Sequence, residues 1–171
     1  MTTIISVTEP GFAALQGNDD VLRDLFKRHG DTIHSPDSEG ATPLHLASER
    51  GHYETAYLLV KKLGADRFAV DKTGASALHY AVQNNQHATA EFLVTELGLD
   101  VNGSDLRGRT ALLLAAANGF DLLLNLLARE LGADPTASDD SGRGALFCAA
   151  WNGHDASVLC LCHFAAAAAA A

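Results

Sequence analysis

The side chains best suited to chemistry in this chain are Cys160, Cys162 and His163, with Cys148 and His154 upstream, because thiolates and imidazoles are the ligands that zinc prefers. His45 and His79 form a second candidate set, as acid–base groups. A metal site needs its donors on converging faces, and a general base needs an open site. Both requirements depend on the elements that carry these residues.

Those elements are set by a period. Gly40, Gly74, Gly108 and Gly142 stand 34 residues apart, each three positions after an aspartate: Asp37, Asp71, Asp105 and Asp139. A fixed period of this size marks stacked units that cannot bury their apolar faces alone. The register gives a capping unit at 8–36 and repeats at 37–70, 71–104, 105–138 and 139–164. Each Asp-x-x-Gly predicts a tight turn, since aspartate can bond the backbone two residues on and glycine takes positive φ without penalty. A first helix follows from Thr42-Pro43-Leu44-His45, with a capping hydroxyl and proline at the first helical position. Later copies keep fewer of these cues: Ser76-Ala77-Leu78-His79, Thr110-Ala111-Leu112-Leu113 and Gly144-Ala145-Leu146-Phe147. A second helix carries Ala56, Leu59, Val60 and Leu63, the spacing of a one-sided apolar stripe. Ala90, Leu93, Val94 and Leu97 repeat it, as do Leu124, Leu127, Ala128 and Leu131. Gly64, Gly98 and Gly132 end these helices where a left-handed cap suits glycine.

Placed in this register, the candidate chemistry gives way to packing. Cys148 shares a column with Leu46, Tyr80 and Leu114, Cys160 with Leu58, Phe92 and Leu126, and Cys162 with Val60, Val94 and Ala128. The thiols are therefore expected to face inward as small hydrophobes, with His163 facing solvent, and no metal site is expected. His45 and His79, repeated at the full period, are expected to bond between adjacent turns, and Leu113 and Phe147 in their column show that no ionisable group is required there. His52 and His154 receive the same structural reading. No phosphate-cradling glycine loop, His-Glu-x-x-His or nucleophile elbow is present, so the chain offers nothing to support an enzyme reading and implies no cofactor.

Turn, helix, helix and glycine stop, with Thr-Pro-Leu-His opening the first helix and Gly51-His52 between the two, resembles the ankyrin repeat family over about residues 8–164. Gly64-Ala65-Asp66, Gly132-Ala133-Asp134 and Gly153-His154 match further family motifs. The units run 34 residues where the family usually has 33, as if Leu63, Leu97 and Leu131 lengthened the second helix. The resemblance implies an all-α helix-turn-helix repeat solenoid with short hairpin turns. It also implies a non-catalytic protein-binding module, either an adaptor or scaffold or the recruiting part of a larger enzyme or membrane protein.

The net charge of −9 argues against nonspecific contact with nucleic acid or anionic membrane. Residues 1–10 lack a charged n-region followed by an apolar core, and no window approaches a membrane span. Three cysteines, all after residue 147, fit a reducing compartment, so an intracellular, cytoplasmic or nuclear, monomeric protein is expected. Asn102-Gly103-Ser104 reads as a turn rather than a glycosylation site. Seven alanines, Ala165 to Ala171, stand where the register expects Leu-Gly-Ala-Asp; they read as a natural tail or as placeholders, and carry no function. With no polar capping repeat after the fourth unit, the natural protein is expected to continue.

The expected partner surface is a concave face made of positions after each turn aspartate and near the end of each first helix. Its binding residues are Arg107, Arg109, Arg143, Trp151, Asn118, Asn152, Lys72 and Arg50. Over the whole face, five cations and three anions give +2, leaving −11 on the remainder. An acidic partner segment gripped by the arginines and anchored on Trp151, the only tryptophan, is the resulting expectation.

Overall fold

The computed structural model describes residues 9–30 and 34–169. Residues 1–8, most of the stretch that bears on a leader, residues 31–33 of the expected capping unit, and Ala170 and Ala171 of the alanine tail lie outside the described residues. The chain divides into two compact units, Met1–Leu99 and Asp100–Ala171. Among the described residues every regular element is helical, and the only strand-like pairs are single bridges such as Val70 with Ser76.

The first unit stacks three hairpins: α1 (Glu9–Leu15) with α2 (Asp19–His29), α3 (Pro43–Glu49) with α4 (Tyr53–Tyr57), and α5 (Ala77–Gln83) with α6 (His87–Thr95). First helices pack on first helices, α1 on α3 and α3 on α5. The second unit holds two hairpins, α7 (Ala111–Asn118) with α8 (Asp121–Asn125) and α9 (Ala145–Trp151) with α10 (Asp155–Ala169). Of the stripes, Ala56, Leu59 and Leu63 are buried, as are Ala90, Leu93 and Leu97, and Leu124 and Leu127, whereas Val60, Val94, Ala128 and Leu131 are half-buried.

The 34th residue enters differently from the expectation. It does not add a residue of helical rise at the end of the second helix. It widens the last turn: the Leu63, Leu97 and Leu131 amides donate five residues back, to the carbonyls of Leu58, Phe92 and Leu126, at 3.0, 3.2 and 3.0 Å. Two residues on, Ala65, Leu99 and Ala133 donate six residues back, so the glycine stop is closed in the way of a left-handed cap.

Each turn is organised by its aspartate. Asp105 Oδ1 accepts from the Arg107 and Arg109 amides, both at 2.9 Å, and the same pair of bonds recurs at Asp37, Asp71 and Asp139. Gly74 and Gly108 hold φ of 78° and 71°, as the turn requires. Successive turns join by backbone bonds, Lys72 N–H to Glu39 O and Asp140 N–H to Arg107 O, both 3.0 Å. At the opposite end of the first helices, His52, Gln86 and His154 each donate back to a carbonyl of the preceding hairpin, at Leu15, Glu49 and Ala117. The glycine beneath is needed for this approach, since a Cβ on Gly51 would lie 2.4 Å from Gln86 Oε1 and one on Gly119 2.6 Å from His154 Nδ1.

Candidate partner-binding groove

The histidines of the first helices serve the scaffold. His45 is fully buried, and its Nδ1 accepts from both the amide and the hydroxyl of Thr42 at 3.1 and 2.8 Å. That places the proton on Nε2, which donates to Ala75 O of the next turn at 3.1 Å. The ring thus takes the part that glutamate plays in a capping box and ties two turns together. Burial holds its pKa below the ordinary histidine value, so it is neutral. His79 repeats the cap with Ser76. Neither ring faces an open cleft.

The cysteines correct one expectation. Cys148 and Cys160 are half-buried, and burial pushes both thiols up, but Cys162 is exposed rather than turned inward. Val60, Val94 and Ala128 in its column are half-buried. The difference arises because α10 packs within its unit on α9 and α8, on one side only. His163 faces solvent as expected, with Nδ1 2.7 Å from Leu159 O. Among the described residues no three His, Cys, Asp or Glu side chains gather around a common point. Asn102 lies in a turn closed by Gly103 N–H donating to Asp100 O at 3.2 Å, with Asp100 Oδ1 accepting from Asn102 N–H and Asn102 Oδ1 accepting from Asp134 N–H, while Ser104 pairs with Thr110 in a single bridge.

In the second unit, Arg109, Asn118, Arg143, Trp151 and Asn152 line one groove of about 320 Å³, together with Leu113, Phe147 and Asp139. Trp151 is 79 % exposed and stacks on Phe147, with centroids 5.8 Å apart and planes inclined by 16°. The two rings are four residues apart on α9 and therefore share a face. Phe147, itself half exposed, joins the expected residues in the lining, and its spacing to Trp151 is plain in the sequence.

The arginines are arranged differently from the expectation of free cations. Arg109 Nε and Nη2 both reach Asp105 Oδ2, at 2.7 and 2.6 Å, and Arg143 does the same to Asp139 at 2.8 and 2.7 Å. Burial alone would raise the Asp105 pKa, but the Arg109 side chain and the turn amides outweigh it and hold the carboxyl below the usual range. At Asp139 the Arg143 hydrogen bond leads, again downward, and raises Arg143 in return. Counting the four turn aspartates with the face turns its balance from positive to negative. The Arg143 guanidinium keeps further N–H donors, because it has five and only two are used on the carboxylate. Arg107 sits exposed at the turn tip, outside the groove lining, with no ion-pair partner among the described residues.

Asn118 and Asn152 spend an amide N–H on their own helix ends, donating to Leu114 O and Cys148 O at 2.8 Å. Lys72 and Arg50 belong to the first unit. Lys72 is exposed at its turn, and Arg50 pairs with Glu49 at 3.6 Å.

A family model described as ankyrin repeats, in three copies, matches residues 11–105 and again 97–169. No curated protein matches the chain.

Proposed function

Since the chain belongs to the ankyrin repeat family, whose repeats are generally protein–protein interaction modules, we propose that it is a non-catalytic adaptor or scaffold whose second unit grips a partner segment in the Trp151 groove. The observation that carries this reading is the stacked, exposed Phe147–Trp151 pair beside two oriented arginines. Large exposed rings cost burial energy in water, and tryptophan and arginine are the residues most enriched at binding hot spots. An acidic group of the partner would meet Arg107 and the outward N–H groups of Arg143, while an apolar side chain covers the Trp151 ring. The compartment that suits such a module is intracellular. No helix among the described residues is long and apolar enough to cross a membrane.

Quantitative affinity purification from the native cell tests this, with wild type compared against Trp151→Ala and Arg107→Ala. A partner retained by wild type, lost with Trp151→Ala and weakened by Arg107→Ala or added salt is the expected result. Equal recovery on all three, with unchanged circular dichroism, would move the site elsewhere.

A second reading, a recruiting module within a larger enzyme or membrane protein, draws on Leu146. It is 47 % exposed, where Leu44, Leu78 and Leu112 in its column are 1 % exposed. That face of α9 suits a further packing element.

A further inference from the structure

The first unit carries a cluster of rings that the repeat does not require. Tyr53 and Tyr57, one helical turn apart on α4, both contact Phe92 of α6, with centroids 5.9 and 6.3 Å away and planes at 50° and 60°. Both tyrosines remain substantially exposed, at 40 and 44 %. They floor a groove of about 410 Å³, which adjoins a second of about 210 Å³ that shares Tyr53 and Phe92.

The repeat register shows that a tyrosine at position 53 is not a requirement of the repeat. Its column holds Asp19, His87, Asp121 and Asp155 in the other repeats. Asp19 accepts the Thr55 hydroxyl at 2.7 Å, and Asp121 accepts the Ser157 hydroxyl, so an aspartate here normally satisfies a buried hydroxyl of the next hairpin. Thr89 stands in that hydroxyl position opposite Tyr53, and its Oγ1 is buried without a hydrogen-bond partner. The chain has given up an internal bond at this position and has a ring on the surface in its place. A local rule broken at a stability cost points to a surface under functional constraint.

Charge indicates what the surface accepts. Arg23 and Lys62 lie on the Tyr57 side, balanced by Asp19 and Glu54, whereas the adjoining groove is bordered by Glu91 and Glu96 with no cation in its lining. The Lys62 ammonium already rests 5.9 Å from the Tyr57 ring centroid, an internal instance of a cation held against these rings. We propose that the Tyr53–Tyr57–Phe92 surface, with its acidic border, is a second docking site that takes a basic segment of a partner protein. A lysine or arginine of that segment lies against the rings near Glu91 and Glu96.

A phage-displayed library of random peptides, panned on the whole chain, tests it. Enriched peptides should carry lysine or arginine beside an apolar residue, and their affinity should fall roughly tenfold in Tyr57→Ala. Tyr53→Asp guards against loss through misfolding, because it restores the acceptor that Thr89 lacks. Binding should weaken there too, despite the added negative charge, while thermal stability is kept or raised. Trp151→Ala should leave these peptides bound, which separates this site from the groove of the second unit. Absence of lysine- or arginine-bearing peptides from the enriched pool, or affinity of those peptides unchanged in both tyrosine variants, would overturn the proposal.

Discussion

Thr55 and Thr89 occupy one position in successive repeats and differ in what stands 36 residues earlier, an aspartate for the first and a tyrosine for the second. Thr55 is bonded and Thr89 is not. Thr55→Val should therefore destabilise by about 1 kcal/mol, while Thr89→Val, which removes a buried hydroxyl that no protein group bonds, should be neutral or stabilise by up to about 1 kcal/mol. Urea midpoints measured side by side decide this, and a larger loss at Thr89 would refute it. The pairing was present in the sequence as Asp and Thr or Ser at a fixed offset, but it becomes readable only when repeats are compared across, not along, the helices. The Arg109–Asp105 and Arg143–Asp139 pairs were equally present, as an arginine four after two of the four turn aspartates. The turn uses only one oxygen of each aspartate, and the second, left for the arginine, has no separate mark in the sequence.

At the scale of elements, the first helices, the stripes of the second helices and the turns were legible. Each rests on a local signal: a cap residue, a period near 3.6, or glycine at positive φ. The widened last turn was not, since lengthening a helix and widening one turn both add a single residue to the period. Only the hydrogen bonds distinguish them. Glycines offer the corresponding test. Gly108 and Gly132 both hold positive φ, but a Cβ on Gly108 would lie 2.7 Å from the Asp140 amide nitrogen, while one on Gly132 would meet nothing within 4 Å. Gly132→Ala should cost about 1 kcal/mol for the backbone conformation alone, and Gly108→Ala should cost more, within about 1–3 kcal/mol. Thermal unfolding of the two variants should rank them in that order, and equal losses would mean that the turns separate to admit a methyl group.

For the whole molecule, the same few groups recur, and their titration adds. Asp71, Asp105 and Asp139 are held below the usual carboxylate range, Asp71 because the Thr73, Ala75 and Tyr80 donors outweigh its burial. A carboxylate with a lowered folded pKa stabilises above its unfolded value, about 3.9, and that contribution is lost as pH falls through the folded value. His45 works in the same direction at higher pH. With its folded pKa lowered, the unfolded chain binds the proton first, so stability declines once pH drops below about 6.5. The melting temperature should accordingly fall in two stages on acidification, and His45→Leu should flatten the upper stage. An unchanged slope in that variant would mean that His45 does not titrate as described.

The contacts between inter-helix loops bear on how such a chain can change over generations. Gly17 lies beneath His52, Gly51 beneath Gln86 and Gly119 beneath His154, each pair made by neighbours rather than within one repeat. A duplication that inserts one repeat inherits only half of each fitted pair, and a ring arriving over a loop without glycine meets a side chain where it needs open backbone. A cut between Gly51 and His52 separates two such pairs, because that loop's glycine serves the following side chain and its histidine the preceding glycine, whereas a cut within a neighbouring helix separates only one. Exchanges whose breakpoints fall within the first or second helices should therefore yield folded chimaeras more often than exchanges that cut at the inter-helix loops.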